Sequence, residues 1–186
     1  MSQPVSIQTK NGHVLLRRLT TNDLDKLAAY LHEVSDEVKN RFGPHHFNKP
    51  AILEFYSWPH ENIGFVAEDV ANESIIGYAI IKCGYLSHDK PRWQSYGLDL
   101  DSIKCCTFAP SVTDAWQGIG IGKNMLQYIL KELTVSGIQH VILWGGVQSD
   151  NIKAIRFYES FGFETKGTFD HYGSNYDMIL SIDFPD

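Results

Sequence analysis

The 186-residue sequence shows neither the long apolar runs of a membrane protein nor the leader of an exported one. No apolar run approaches the ~20 residues that a membrane-spanning helix needs. The first residues, Met1 to Ser6, lack the basic and apolar regions of a signal peptide. We therefore expect a cytoplasmic protein that has no membrane partner.

Cysteine and basic residues are also scarce. The three cysteines, Cys83, Cys105 and Cys106, form an odd set without a C-x-x-C pair, which argues against a disulfide framework and against a thiolate zinc site. Lys and Arg number 16 against 22 Asp and Glu, so the formal net charge is −6. Because nucleic-acid binding needs a cationic surface, this balance argues against a nucleic-acid partner. It weakly favours a cationic small substrate through electrostatic steering.

The composition, 43% hydrophobic and 20% charged, fits one globular domain over residues 1–186 with its core at about 14–180. Strands and helices alternate in the second half, which predicts a partly parallel sheet covered by helices. Pro110 predicts a sheet edge or a bulge, since proline cannot donate to a strand ladder. Strands are expected at 14–19, 64–68, 74–81, 103–109, 141–144, 163–165 and 176–180. Helices are expected at 24–31, 51–56, 121–135 and 151–160, the first of them capped by Thr21 or Asn22. Irregular segments are expected at 41–50 and 85–101.

A glycine-rich turn, Gln-Gly-Ile-Gly-Ile-Gly-Lys at residues 117–123, lies between a predicted strand and a predicted helix. Its three glycines remove three Cβ atoms, so backbone N–H groups can approach an anion closely. The helix that follows adds its free N–H groups and the positive end of its dipole. The turn therefore predicts a pyrophosphate site, to which Lys123 would add a positive charge.

Three kinds of phosphate ligand compete for this turn. A nucleotide-triphosphate loop needs G-x-x-x-x-G-K-[ST], but Asn124 follows Lys123, and Gln117 stands five residues before Gly122. A dinucleotide fold needs G-x-G-x-x-G and an acidic residue about 20 residues further on. Here the spacing is G-x-G-x-G, and no acidic residue closes the next strand. Coenzyme A is the third ligand.

The turn resembles the signature of the GNAT superfamily of N-acetyltransferases, [Q/R]-x-x-G-x-[G/A], which residues 117–122 match. Residues 112–116 align without a gap to the end of the family's fourth strand, although Asp114 stands where the family often has proline. Residues 151–163 are similar to a second signature, N-x-x-A-x-x-x-Y-x-x-x-G-F. Two signatures in order are more specific than either alone, and the resemblance extends from about residue 14 to residue 180.

The resemblance implies an α/β (α+β) GNAT fold, with a mixed central sheet of six to seven strands flanked by about four helices. It implies acetyl-CoA as co-substrate without a metal, direct attack by an amine, and a homodimer as one expected assembly. Backbone groups near Ser111 and Val112 would bind the pantetheine arm and stabilise the oxyanion. The implied cofactor contacts are Ser111, Val112, Gln117, Gly118, Ile119, Gly120, Ile121, Gly122, Lys123, Asn151 and Ala154.

The resemblance also implies a general acid. Tyr158 stands seven residues after Asn151, where the family places a phenol that protonates the departing CoA thiolate. Family members that acetylate protein N-termini often carry a glutamate five residues before the asparagine, and Gly146 occupies that position here. We therefore expect a small-molecule amine as the acceptor. The general base stays open between Glu68, Asp69 and a chain of water molecules.

His45 and His46 lie in a loop that, in the resemblance, helps to shape the acceptor pocket. Two histidines without further ligands at fixed spacing do not predict a metal site. Two other functions stay open at this point. One is a catalytically idle acyl-CoA-binding module on the same fold, against which the presence of Tyr158 and Asn151 argues. The other is a nucleotide-binding protein.

Overall fold

The computed structural model describes residues 3–57 and 61–182. The strands are β1 (Val5–Thr9), β2 (Gly12–Arg18), β3 (Asn62–Asp69), β4 (Ser74–Cys83), β5 (Cys105–Val112), β6 (His140–Leu143), β7 (Val147–Gln148), β8 (Glu164–Asp170) and β9 (Ser174–Ser181). The helices are α1 (Leu24–Glu33), α2 (Asp36–Arg41), α3 (Lys49–Phe55), α4 (Lys90–Ser95), α5 (Ile121–Val135) and α6 (Ile152–Glu159). Within the described residues these nine strands and six helices exceed the six to seven strands and about four helices that we expected. The additions are short elements such as β1, β7, α2 and α4, which carry little periodic signal.

The chain divides into two compact units. Unit 1 comprises Met1–Ile81 and Ala109–Leu133, and unit 2 comprises Lys82–Phe108 and Thr134–Asp186. Residues 1–2, 58–60 and 183–186 of the predicted domain lie outside the described residues. The prediction of a single domain over residues 1–186 stays a prediction.

In unit 1 the strands follow the order β1, β2, β3 and β4, with the C-terminal half of β5 after β4. β1 and β2 form an antiparallel hairpin that closes at Thr9 and Gly12, and β2 pairs antiparallel with β3. α5 packs against this part of the sheet at Gly77, where a Cβ would meet the Met125 sulfur at 2.9 Å. The absence of a side chain there therefore lets α5 and its preceding turn lie close to β4.

In unit 2, β6 pairs parallel with the N-terminal half of β5 and antiparallel with β9. β7 and β8 both pair antiparallel with β9. The strands expected at 163–165 and 176–180 are confirmed as β8 and β9, which are longer than we expected. The core of the unit forms around Trp93, Cys105, Ile142 and Ile179, with Tyr85, Tyr96, Leu98 and Leu100 packed against it.

Two local predictions need correction, and a third agrees with the structure. Residues 85–101 contain the helix α4 instead of an irregular connection, because the Arg92 Nε on this helix bonds the buried Asp177 carboxylate at 2.5 Å. α1 begins at Leu24, directly after a 3-10 turn at Thr21–Asp23, and neither Thr21 nor Asn22 is a cap: the turn is capped by Thr20, whose N–H donates to the Asp23 carboxylate at 2.8 Å. Pro110 lies inside β5 beyond Phe108, where the pairing with β6 ends, which agrees with the predicted sheet edge at this residue. Within the described residues, no helix is long and apolar enough to cross a membrane.

Candidate active site

The glycine-rich turn joins β5 to α5 in unit 1. A short 3-10 turn, Asp114–Trp116, precedes it, and Gly118 and Gly120 adopt φ values of +72° and +92°. An L side chain is strained in this left-handed region, so the two glycines are required by the backbone path itself. A Cβ at Gly118 would meet no atom within 4 Å, so the space beside it is open.

Two amide side chains hold the turn in shape. The Gln117 Nε2 donates to the Val112 carbonyl at 2.9 Å and to the Asp114 carboxylate at 3.0 Å. The Asn124 Nδ2 donates to the Gly120 carbonyl at 2.9 Å, which the Asn124 N–H also reaches at 3.0 Å. The predicted ligand Gln117 therefore orders the loop through its side chain, and Asn124 is a structural residue that the motif did not indicate.

The N–H groups at the start of α5 are available to a ligand. The first backbone hydrogen bond of the helix comes from Asn124, and within the described residues no N–H from 118 to 123 donates to a backbone carbonyl. Successive N–H groups in such a turn form a concave anion-binding surface. Lys123 is exposed next to them and makes no ion pair with a described residue. The local geometry therefore fits a pyrophosphate group.

Ser111 lies near the end of β5, and its side chain is buried and already bonded. Its Oγ accepts from the Tyr30 hydroxyl at 2.9 Å and donates to the Tyr78 carbonyl at 3.3 Å. The Val112 carbonyl accepts from Gln117. The side-chain bonds of Ser111 fix the strand end that was predicted to face the thioester.

Tyr78 on β4 also forms part of a chain of neutral polar groups in unit 1. Its hydroxyl bonds the His45 Nε2 at 3.0 Å and the Tyr56 hydroxyl at a shorter distance. The His45 Nδ1 lies 2.9 Å from the His46 carbonyl oxygen. We call Tyr56, Tyr78 and His45 the hydroxyl chain. The sequence did not point to Tyr56 or Tyr78, because a tyrosine in an apolar strand or at a helix end is most simply a packing residue.

Burial keeps the hydroxyl chain uncharged at neutral pH. It raises the pKa of both tyrosines above the ordinary value of 10.0, although the hydrogen bond between the two hydroxyls partly offsets this for Tyr56. Burial also lowers the pKa of His45 below 6.5, and the bond to the His46 carbonyl only partly offsets that effect. The His45 ring packs against Phe55 with centroids 4.7 Å apart. A surface pocket of about 450 Å³ adjoins His45 and is lined by Lys39, Phe42, Gly43, Pro44, His45, His46 and Phe47.

The second predicted signature forms α6 in unit 2. The Asn151 Oδ1 accepts from the Ala154 N–H at 3.2 Å and so caps the helix. Its Nδ2 makes no hydrogen bond to a described residue. Tyr158 is buried, with its ring 5.3 Å from the rings of Phe157 and Phe163, and its hydroxyl has no hydrogen-bond partner within the described residues. Burial alone raises the pKa of this phenol, so it stays protonated at neutral pH.

Gly146 occupies a position where no side chain fits. Its φ is +70°, and a Cβ would lie 2.6 Å from the Tyr176 carbonyl oxygen and 2.8 Å from the Phe169 ring. A glutamate here would need both a different backbone and a displaced hairpin. The absence of a base at this position is therefore built into the local fold of unit 2.

The two carboxylates that the sequence offered as bases are both occupied. The Glu68 Oε2 accepts from the Arg17 guanidinium at 2.8 Å, and its Oε1 accepts from Lys26 at 2.7 Å. Burial would raise the pKa of Glu68, but the bonds from these two cations lower it overall. Arg17 also bonds Asp23, and we call these four residues the ion cluster. Asp69 accepts from the Ala71 N–H and the Asn72 amide in the turn after β3.

The chain is similar to known proteins in sequence and in fold. A family model described as the acetyltransferase (GNAT) family matches residues 31–163. A mycothiol acetyltransferase from Mycobacteroides abscessus is 30% identical over 181 residues, which cover 90% of this chain and 60% of that protein. The chain thus spans about three-fifths of the length of this relative.

Solved structures resemble the chain more completely. The GNAT domain of PAT from S. lividans aligns with a TM-score of 0.73 and 19% identity, over 96% of this chain and 97% of that one. An N-acetyltransferase from Staphylococcus aureus Mu50 aligns with a TM-score of 0.65 and 20% identity, over 90% and 98%. At these identities the likeness concerns the fold, and it confirms the predicted α+β fold with a mixed central sheet flanked by helices.

Proposed function

We propose that this chain, which belongs to the acetyltransferase (GNAT) family, transfers an acetyl group from acetyl-CoA to a primary amine. The acceptor is a small molecule, and its nitrogen attacks the thioester directly. The observation that carries the proposal is the turn at 117–123. Its open N–H groups precede α5, and Gly118 leaves free space beside them.

The residues of unit 1 bind and orient the donor in this proposal. Backbone N–H groups from Gly118 to Lys123 hold the pyrophosphate, and Lys123 adds a charge at the surface. The backbone at Ser111 and Val112 binds the pantetheine arm and donates to the oxyanion as the carbonyl carbon becomes tetrahedral. Holding the thioester still for attack supplies much of the rate through proximity alone.

The residues of unit 2 handle the leaving group. The Tyr158 hydroxyl donates its proton to the thiolate sulfur as the C–S bond breaks, and its high pKa keeps that proton in place until then. The Asn151 Nδ2 donates to the pantetheine arm, since its Oδ1 is committed to the helix cap. Ala154, whose N–H completes that cap, lies on the same first turn of α6.

The acceptor class rests on two observations. Gly146 cannot carry the glutamate that N-terminal acetyltransferases of the family often use, which favours a small molecule over a protein. The mycothiol acetyltransferase among the relatives acts on a small molecule as well, although the chain spans only part of it. The test is release of the CoA thiol from acetyl-CoA in the presence of polyamines, amino acids, aminoglycosides, peptides or mycothiol-type amines.

A matched pair of glycine variants tests the donor turn. Gly118 and Gly137 have φ values of +72° and +76°, and a Cβ added to either glycine would meet no atom within 4 Å. Alanine should therefore strain both backbones by a similar ~1–2 kcal/mol. We expect Gly118→Ala to raise the apparent Kd for acetyl-CoA at least tenfold, and Gly137→Ala to leave this Kd unchanged. The Kd is obtained from the increase in thermal stability that acetyl-CoA produces. Equal effects in the two variants would contradict the proposed pyrophosphate site.

An acyl-CoA-binding module without activity is the second candidate function. It is favoured by the state of two candidate base positions, since Glu68 is paired and Gly146 bears no side chain. Tyr158→Phe separates the two functions, because it removes only the hydroxyl of a buried ring. The transferase loses about 10²-fold in kcat and still binds acetyl-CoA, whereas an idle module shows no turnover before or after the change.

A further inference from the structure

We infer that Tyr56, Tyr78 and His45 form a proton relay that removes the proton of the attacking amine, an inference that rests on the proposed acetyl transfer. The relay would supply the base in place of Glu68 and Asp69, whose carboxylates are already bonded. Tyr56 would receive the proton at the acceptor nitrogen, and Tyr78 and His45 would act through it. All three residues belong to unit 1.

The direction of the relay is set by one backbone carbonyl. The His46 oxygen can only accept, so the His45 Nδ1 at 2.9 Å must carry a hydrogen. In the neutral imidazole the Nε2 is then an acceptor, and the Tyr78 hydroxyl donates to it. Having given its hydrogen to His45, the Tyr78 oxygen accepts from the Tyr56 hydroxyl. The hydrogen bonds therefore run in one direction, from Tyr56 to His45.

Only the Tyr56 end of the hydroxyl chain can take up a proton. Both nitrogens of His45 are bonded, and the Tyr78 oxygen both donates and accepts. Tyr78 is fully buried, whereas Tyr56 and His45 are half-buried. The Tyr56 oxygen donates one hydrogen bond and keeps a lone pair for a further donor. Tyr78, which is fully buried, thus connects two half-buried residues.

A further hydrogen bond ties the relay to the strand end that was proposed to hold the thioester. The Ser111 Oγ donates to the backbone carbonyl of Tyr78 at 3.3 Å and accepts from Tyr30, whose ring packs edge-on against Tyr78 with centroids 6.5 Å apart. At the other end of the hydroxyl chain, Gly64 leaves room for the Tyr56 oxygen, because a Cβ there would lie only 2.7 Å from it. These contacts fix both Tyr78 and Tyr56 within unit 1.

The transfer balances without a co-reactant. As the nitrogen bonds the acetyl carbon, its N–H hydrogen passes to the Tyr56 oxygen, the Tyr56 hydrogen to the Tyr78 oxygen, and the Tyr78 hydrogen to the His45 Nε2. The N–H bonding pair stays on nitrogen and becomes part of the amide. Both tyrosines end neutral, and His45 becomes an imidazolium that later releases a proton to water. The thiolate takes its proton separately from Tyr158.

The surroundings of His45 favour a neutral imidazole before the reaction. Burial lowers its pKa below the ordinary value of 6.5, so the base is ready at neutral pH. The titratable groups that face it are Tyr78 from β4, Tyr56 after α3 and His46 in the same loop, and Lys39 of α2 lines the adjoining pocket. None of these groups is an anion that would hold the proton on the imidazole and stop its release.

A glutamine at position 45 tests the relay by turnover. His45→Gln keeps a side-chain acceptor for Tyr78 but cannot be protonated, so a purely structural histidine would tolerate it. We expect kcat to fall about 10²-fold near pH 7 with the fastest amine of the acceptor panel, and the KM for acetyl-CoA to stay within about twofold. The control His32→Gln changes an exposed histidine on α1 and should leave kcat unchanged.

A second test of the relay, by NMR, needs no acceptor amine. In the 15N spectrum of the full chain with labelled histidine, the His45 signal, assigned by its loss in His45→Gln, should show the Nδ1–H tautomer and a pKa below 6.5. Tyr78→Phe should shift the Nε2 resonance. An Nε2–H tautomer would reverse the hydrogen bonds and overturn the relay, whatever the turnover experiment shows.

The two arms separate failure of the relay from failure of the transferase. Wild-type turnover that persists in His45→Gln at an unchanged rate and pH profile overturns the relay and leaves acetyl transfer intact. If wild-type protein turns over no amine, acetyl transfer is wrong and the relay falls with it. Rescue of His45→Gly by added imidazole, which the adjoining pocket of about 450 Å³ can admit, would support the relay further.

Discussion

Two polar clusters of unit 1 differ in how their hydrogen-bonding capacity is used. In the ion cluster of Arg17, Asp23, Lys26 and Glu68, every side chain is charged and bonded to an opposite charge at 2.7–3.0 Å. In the hydroxyl chain of Tyr56, Tyr78 and His45, every group is neutral and the bonds run in series. Both clusters link β-strands to the helical segments of unit 1.

The difference bears on which cluster can move a proton. Protonating Glu68 would cost it the bonds from both cations, which is why its pKa is lowered despite burial. A proton entering the hydroxyl chain only exchanges one set of neutral hydrogen bonds for another and leaves the charge on the half-buried His45. The ion cluster therefore stabilises the fold, and the hydroxyl chain is suited to chemistry.

The largest effect should come from interrupting the hydroxyl chain at its centre. Tyr78→Phe removes the one hydroxyl that connects Tyr56 to His45, so kcat should fall by about 10²–10³-fold. Stopped-flow or steady-state thiol release measures it. Tyr128→Phe, which removes a hydroxyl from another buried tyrosine, is the control. If the two variants lose activity equally, the special role of the hydroxyl chain is wrong.

A change in the ion cluster should lower the free energy of unfolding and leave turnover almost unchanged. Glu68→Gln removes charge-assisted bonds from Arg17 and Lys26, and the free energy of unfolding should fall by about 1.5–3 kcal/mol while kcat stays within about twofold. Denaturant unfolding measures the first quantity. Glu37→Gln, which breaks an exposed ion pair with Arg41 on α2, should cost less than about 0.5 kcal/mol. A drop in kcat of tenfold or more in Glu68→Gln would reinstate Glu68 as the base.

The smallest effect is a pH dependence of stability. Asp23 and Glu68 have folded-state pKa values below their ordinary 3.8 and 4.5, because bonds from cations, and for Asp23 also from Thr20, outweigh burial. Their contribution is present above these ordinary values and is lost as the pH falls through the lower folded-state pKa values. Unfolding free energies should therefore decline below about pH 4.5, and less steeply in Glu68→Gln. A variant with the same slope as wild type would show that Glu68 contributes nothing.

Much of the fold followed from local signals in the sequence. The helix at 121–135 has the bounds that its apolar spacing predicted, since 15 residues give a strong period. α4 was missed because it is held by the long-range bond from Arg92 to Asp177, which no local pattern carries. Pro110 carried a useful local signal, because the edge that it predicted lies just after the pairing of β5 with β6 ends at Phe108.

The candidate site likewise has one part that local sequence predicted and one part that it did not. The turn at 117–123 was predictable because its glycines are contiguous and precede a helix. The hydroxyl chain was not, because Tyr56 and Tyr78 are 22 residues apart and meet His45 only through the fold. The lack of a glutamate at Gly146 was evident from the sequence, but its cause was not. The structure shows that Tyr176 and Phe169 leave no room for a side chain there.

The most direct test of the central claim is to quantify both products of one reaction. Wild-type protein is incubated with acetyl-CoA and each amine of the panel, and released thiol and acetylated amine are measured together by absorbance and mass spectrometry. Acetyl transfer predicts equal amounts of the two products, for at least one small-molecule amine. Thiol release without acetylated amine, or binding of acetyl-CoA without either product from any amine, would contradict it.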